Sequence, residues 1–169
     1  MKVLEKLNKF LETVTALFVA IITLLVLAQV LFRYVLKQPF TSSEEWAKYF
    51  VIWLVMLGFA ILVRKNGHIS VTYFAEKFSD KVQRILRIVV HILCAVFFLV
   101  LLIYGLDLSL KAMIQITPAT GIRMGYVDLV IPIAGLLSLL FTIEHLYNEI
   151  SLNKRTEYNE VEEYIDESR

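Results

Sequence analysis

Four long apolar stretches run along the chain, and polar segments separate each stretch from the next. An α-helix needs about 20 predominantly apolar residues to cross the hydrocarbon core of a bilayer, and the stretches come near that length. The pattern therefore predicts an all-α integral membrane protein with four transmembrane helices. The predicted crossings lie at about residues 12–34, 45–63, 86–108 and 126–147, within a membrane domain of residues 1–152 that an acidic, cytoplasmic tail of residues 153–169 follows.

Turn and cap signals mark the polar segments on one side of these crossings. Pro39 cannot continue a helix, so the first helix is expected to end before it. Ser42 and Glu45 have the spacing of a capping box, in which both side chains bind backbone N–H groups at a helix start. Residues 117–121, T-P-A-T-G, predict a turn before the fourth crossing.

The segment between the second and third crossings is polar and basic. Its apolar residues recur at helical spacing, which predicts a short amphipathic helix lying on the membrane surface. The helical pattern of the third crossing extends from Lys81 to Gln115, or ~52 Å at 1.5 Å per residue. Because the hydrocarbon core is only ~30 Å thick, we expect long, tilted helices.

Composition supports the membrane assignment and excludes other classes. The chain is 58% hydrophobic with a mean hydropathy of +0.67, which is too apolar for a soluble domain of 169 residues. A net charge of +1 without a basic, aromatic-rich cluster argues against nucleic acid as a partner. The single cysteine, Cys94, lies in an apolar stretch and has the pattern of a small hydrophobic residue.

The distribution of lysine and arginine predicts the orientation. Twelve of these residues lie in the N-terminus, the 64–87 segment and the C-terminal tail, and five lie in the two loops on the opposite side. Since cytoplasmic segments are enriched in positive charge, both termini are expected to be cytoplasmic.

Five of the candidate site residues lie in the predicted outer segments. Ser43, Glu44 and Glu45 begin the second helix, Arg123 follows the turn and Asp128 begins the fourth crossing. Carboxylates in the first turn of a helix are stabilised by its dipole, so each acidic residue is either a structural cap or a contact for a partner protein.

Arg64 and His68 are the candidates on the predicted inner side. A basic cluster there commonly anchors a protein to anionic headgroups, and docking of a partner protein is the alternative. Membrane lipids are therefore expected partners.

Two histidines raise a second possible function. His91 and His145 lie toward one membrane face, and histidine is a ligand of haem, so a haem-binding anchor of a redox complex is the alternative prediction. The sequence contains no phosphate-binding loop, catalytic set or metal-ligand spacing, which indicates a non-catalytic chain.

Five motifs in order resemble one family, the small permease subunit of TRAP (tripartite ATP-independent periplasmic) transporters. They are F-R-Y-V-L-K-Q-P-F at 32–40, S-E-E at 43–45, F-V-I-W-L-V-M-L-G-F-A at 50–60, R-K-N-G-H-I-S-V at 64–71 and T-P-A-T-G-I-R-M-G-Y at 117–126. The resemblance covers about residues 10–147.

This resemblance implies a small subunit in the bacterial inner membrane, paired with a separate large permease subunit that carries substrate and sodium. A periplasmic substrate-binding protein is expected to deliver an organic acid such as a sialic acid or a C4-dicarboxylate. No cofactor is expected in this chain itself. We expect the small subunit to brace the static domain of the large one and to help dock the binding protein.

Overall fold

The computed structural model describes residues 2–37, 41–66 and 80–167, and all of its regular elements are helices. They are α1 (Lys2–Tyr34), α2 (Thr41–Asn66), α3 (Asp80–Ala112), α4 (Met124–Asp128) and α5 (Val130–Glu167). The predicted all-α membrane class is confirmed, because four helical spans in this part of the chain are long and apolar enough to cross a bilayer. Those spans are Leu4–Tyr34, Ser42–Lys65, Ile85–Ala112 and Met124–Ile150.

The helices have the predicted excess of length over the bilayer. The 33 residues of α1 and of α3 each extend for about 50 Å at 1.5 Å per residue. The α5 helix continues through the acidic tail as far as Glu167. The predicted amphipathic surface helix and His68 lie outside the described residues.

The fourth span is broken close to its start. Leu129 separates α4 from α5, and Pro132 lies three residues beyond the break. Proline has no N–H to donate to the carbonyl of residue 128, so the regular hydrogen-bond ladder is interrupted there. The backbone carries on through bonds from the Leu129 N–H to the Gly125 carbonyl and from the Ile133 N–H to the Leu129 carbonyl.

The spans lie side by side as an open row rather than as a closed bundle. α1 packs on α2, α2 packs on α5, and α5 packs on α3. Within the most apolar 18 residues of the fourth span, 44% of the residues are buried, whereas none is buried in the corresponding stretch of α1. α2 and α5 therefore form the middle of the row, and α1 and α3 form its two edges.

Close packing between α3 and α5 depends on two glycines. A Cβ atom added at Gly135 would lie 3.1 Å from the backbone nitrogen of Leu102, and one at Gly105 would lie 2.8 Å from Cγ2 of Ile131. Small residues let the backbones of membrane helices approach each other. Ala134 and Ser138, two small residues four positions apart on α5, are both fully buried.

A small apolar core joins α1, α2 and α5. It contains Leu11, Leu57, Ala60, Ile61 and Phe141, each at most 9% exposed, together with Val130. The candidate residues lie at the two ends of these helices. We call the end formed by the start of α2 and residues 117–123 the loop end, and the opposite end, with Arg64 and Arg87, the basic end.

Candidate functional site

Glu45 joins the start of α2 to the turn before α4. Its carboxylate accepts hydrogen bonds from the backbone N–H of Ala119 (3.1 Å), the N–H of Thr120 (2.9 Å) and the hydroxyl of Thr120 (2.8 Å). The hydroxyl of Tyr49 lies 3.2 Å from the same carboxylate. Hydrogen bonds to an ionised acceptor are stronger than neutral ones, so this contact ties two separate segments together.

The capping box predicted for Ser42 and Glu45 is therefore wrong. α2 already begins at Thr41, and the hydroxyl of Ser42 donates to the carbonyl of Ala119 at 3.2 Å. Glu45 binds the same turn. The spacing of the two residues suits a bond across to a neighbouring loop as well as it suits a cap, because both arrangements place the side chains on one face of the first helical turn.

The neighbours of Glu45 also contact α1. The carboxylate of Glu44 pairs with the guanidinium of Arg33 at 3.1 Å, and both side chains are exposed. Ser43 is buried, and its carbonyl accepts a hydrogen bond from the Gln29 side chain at 2.9 Å. Residues 43–45 thus hold the loop end together, and the side chain of Glu44 is exposed to solvent.

Arg123 and Asp128 lie at the loop end as well. Arg123 is exposed, and its backbone forms an isolated bridge with Ile116. Asp128 is half-buried and ends α4 at the break in the fourth span. Nearby, the buried hydroxyl of Ser109 donates to the carbonyl of Gly125 at 2.7 Å and fixes α4 against α3.

Arg64 is the centre of the contacts at the basic end. Its guanidinium forms a 3.8 Å ion pair with Glu144, donates to the carbonyl of Leu4 and lies 5.3 Å from the ring centre of Phe141. The carbonyl of Arg64 bonds to Nε2 of His145 at 2.9 Å. The side chains of Arg64 and Glu144 are only 14% and 13% exposed, so the predicted lipid anchor is in fact a partly buried link between α1, α2 and α5.

The two histidines, which the sequence places toward one membrane face, lie next to each other. The ring centres of His91 and His145 are 6.0 Å apart, between α3 and α5. Nδ1 of His91 lies 2.6 Å from the carbonyl of Arg87, and Arg87 pairs with Glu149 of α5 at 2.8 Å. Each ring therefore already has one nitrogen in a hydrogen bond with the backbone, which suits a polar contact between helices.

Sequence reasoning missed the partners of these candidate residues. Thr120 had no signal beyond its place in a turn, and Tyr49 read as part of an apolar stretch. Glu144 and Glu149 did have a signal, because they end an apolar crossing on the side predicted to hold Arg64 and Arg87. Acidic residues at the membrane end that also carries the basic segment are natural ion-pair partners.

The chain is similar to one family of known proteins over most of its length. The model of a family described as "Tripartite ATP-independent periplasmic transporters, DctQ component" matches residues 22–152. That range contains the loop end, the basic end and most of the four spans.

Three curated relatives give the same indication. The sialic acid TRAP transporter small permease protein SiaQ of Vibrio cholerae is 22% identical over 90% of this chain and 88% of its own length. The C4-dicarboxylate TRAP transporter small permease protein DctQ of Pseudomonas aeruginosa is 27% identical over 72% of this chain and 60% of its own length. The sialic acid TRAP transporter permease protein SiaT of Haemophilus influenzae is 28% identical over 85% of this chain, which spans 23% of that longer relative.

Proposed function

Because the chain belongs to the DctQ component family of the tripartite ATP-independent periplasmic transporters, we propose that it braces the static domain of a large permease subunit. Members of this family are non-catalytic subunits of multi-pass inner-membrane transporters. The family match favours this role over the haem-binding anchor. We further propose that the complex moves an organic acid, of the sialic acid or C4-dicarboxylate type, with sodium.

The open row of helices is the observation that carries the bracing role. A row has two broad apolar faces, and a protein that shifts one domain past another needs a wide, rigid support for the domain that stays still. One face of α2 presents Val51, Val55 and Leu62, and α5 presents Leu136, Leu140 and Ile143; each of these side chains is at least 40% exposed. Apolar area of this kind suits either lipid or a membrane helix of the large subunit.

The distribution of charge argues that the substrate path belongs to another subunit. The middle stretches 14–32, 49–63, 88–106 and 129–143 contain no Asp, Glu, Lys or Arg. An organic anion crossing a bilayer needs cationic or polar partners near the midplane, as transport sites generally provide. The charged groups of the described spans lie at the loop end and the basic end instead.

The loop end is our proposed contact for the substrate-binding protein. Glu45 is engaged with the turn before α4 and Glu44 with Arg33, so these carboxylates shape the surface rather than extend from it. The exposed groups at this end include Arg123 and the apolar Ile116, which is 65% exposed. We propose that these two residues meet the binding protein.

Reconstitution tests the bracing role. The large subunit is placed in proteoliposomes with and without this chain, and sodium-driven uptake of a sialic acid and of a C4-dicarboxylate is measured with the binding protein present. We expect uptake only when both subunits are present. Full uptake by the large subunit alone would reject an essential brace.

The docking proposal has its own test. Arg123→Glu should lower binding-protein-dependent uptake through a higher half-saturating concentration of the binding protein, with the maximal rate less affected. Lys111→Glu is the matched control, because Lys111 is an exposed cation at the same end that pairs with Asp107. Equal effects of the two changes would reject a specific role for Arg123.

A further inference from the structure

An apolar groove of about 450 Å³ opens at the loop end, between α1, α2 and α4. α2 forms its floor, with Phe18 of α1 on one side and residues of α4 on the other. Both tryptophans of the chain line it. The main lining residues are Phe18, Trp46, Phe50, Trp53, Tyr126 and Val127.

The groove follows α2 for about two helical turns, from Trp46 to Trp53. Trp46 and Trp53 are seven residues apart on α2, a span of ~10 Å along the helix axis, which is most of the ~15 Å thickness of one leaflet of the hydrocarbon core. The depth of the groove thus suits an acyl chain that enters one leaflet, and its apolar lining suits the hydrocarbon of that chain.

The mouth of the groove has the chemistry of a lipid headgroup region. Trp46 and Tyr126 are 43% and 58% exposed, and amphipathic aromatic residues are typical of the membrane–water interface. Arg123 follows the lining residue Ile122 directly, and within residues 2–37, 41–66 and 80–150 its guanidinium has no ion-pair partner. An exposed guanidinium is complementary to a phosphate.

We propose that this groove binds one glycerophospholipid from the leaflet at the loop end. An acyl chain lies along Trp46, Phe50 and Trp53, and the phosphate lies at Arg123. The site depends only on the chain being embedded in a bilayer, so it does not require the bracing or docking roles. A lipid held in this way would fill the space that the protein's own side chains leave between α1 and α4.

Photocrosslinking in the assembled complex tests the occupant. A benzoylphenylalanine is placed at Phe50, within the groove, and the small and large subunits are expressed together in cells. The complex is purified in detergent, irradiated after bulk lipid has been removed, and analysed by mass spectrometry of the intact subunits. We expect an adduct with the mass of one phospholipid on the small subunit.

A matched position separates a retained lipid from bulk contact. Val55 is five residues away, on a different face of α2, and is 59% exposed. Benzoylphenylalanine at Val55 should form lipid adducts in native membranes but lose them after purification. An adduct of Phe50 with the large subunit would overturn the proposal, as would loss of the Phe50 lipid adduct on purification.

The headgroup contact is tested by adding phosphatidylglycerol back to the delipidated complex. Arg123→Gln should raise the concentration that gives half-maximal adduct at Phe50 by about tenfold or more, the loss expected for one charge-assisted contact. Lys111→Gln should leave it unchanged. Val127→Phe, which fills the groove, should abolish the adduct, and an unchanged titration for Arg123→Gln would remove Arg123 from the site.

Discussion

The carboxylate of Glu45 binds both the backbone N–H and the hydroxyl of Thr120, a residue 75 positions further along the chain. We predict that Glu45→Gln lowers the thermal unfolding midpoint of the purified complex. The amide keeps one acceptor oxygen but loses the charge that strengthens these bonds. Thr120→Val, which removes only the hydroxyl, should lower the midpoint less. Fluorescence-detected size-exclusion chromatography after heating measures both.

Glu44→Gln is the control for this contact. Glu44 directly precedes Glu45 and forms an ion pair with Arg33 at the loop end, but both partners of that pair are exposed. Exposed ion pairs contribute little to stability, so the midpoint should stay unchanged. If Glu44→Gln and Glu45→Gln have the same effect, the link between α2 and the turn does not stabilise the subunit.

Arg64 and Glu144 give a second prediction, at the basic end. Arg64→Gln should destabilise the subunit by about 1–3 kcal/mol, because it leaves the carboxylate of Glu144 and the carbonyl of Leu4 poorly satisfied in a partly buried place. Glu144→Gln should cost a similar amount. The double variant should lose less than the two single variants together, because the partners interact directly. Unfolding in mixed micelles with increasing denaturing detergent measures these free energies.

The pair of Lys111 and Asp107 shows why burial matters more than distance here. These groups are 2.6 Å apart, closer than Arg64 and Glu144, but their side chains are 74% and 54% exposed. Such a pair within one helix contributes about 0.5 kcal/mol or less. Lys111→Gln should therefore be nearly silent in the same assay. A cost as large as that of Arg64→Gln would contradict the ranking.

The four spans were predictable because apolar length is a local property of the sequence. Pro39 and the 117–121 turn also divide the chain where the described helices stop and restart. Apolar length and turn residues thus predict the helices and the places where they end.

The partners of the candidate residues were not predictable, because they depend on which helices lie side by side. Glu45 has the same local sequence whether it caps its own helix or binds Thr120 from another segment. Arg64 has the same local sequence whether it meets headgroups or Glu144. The order of helices in the row, which decides both cases, comes from packing at positions such as Gly135 and not from any local pattern.

Orientation yields a third prediction. If the basic end is cytoplasmic, a membrane-impermeant maleimide added to whole cells with a permeabilised outer membrane should label Ile114→Cys, which is 86% exposed beyond the end of α3. Lys6→Cys should react only after the inner membrane is opened. Both changes are made in a Cys94→Ser background, because Cys94 is the single native cysteine. The reverse labelling pattern would place the termini outside.

Two glycines provide the sharpest test of how the row is built. Gly135 lies against α3, with the backbone nitrogen of Leu102 only 3.1 Å from where its Cβ would be, whereas no such atom lies within 4 Å of a Cβ at Gly58. Alanine is a better helix former than glycine by about 1 kcal/mol in a helix interior. Gly58→Ala should therefore keep or raise the unfolding midpoint.

Gly135→Ala should lower the midpoint, because the added methyl group meets the backbone of α3, which cannot move aside as a flexible side chain can. Gly135→Leu should force α3 and α5 apart and reduce the yield of folded complex sharply, since these two helices form the most extensive contact in the row. Thermal unfolding of the purified complexes compares the four proteins directly. Equal midpoints for Gly58→Ala and Gly135→Ala would mean that α3 does not approach α5 this closely. The position of α3 at the edge of the row would then be wrong.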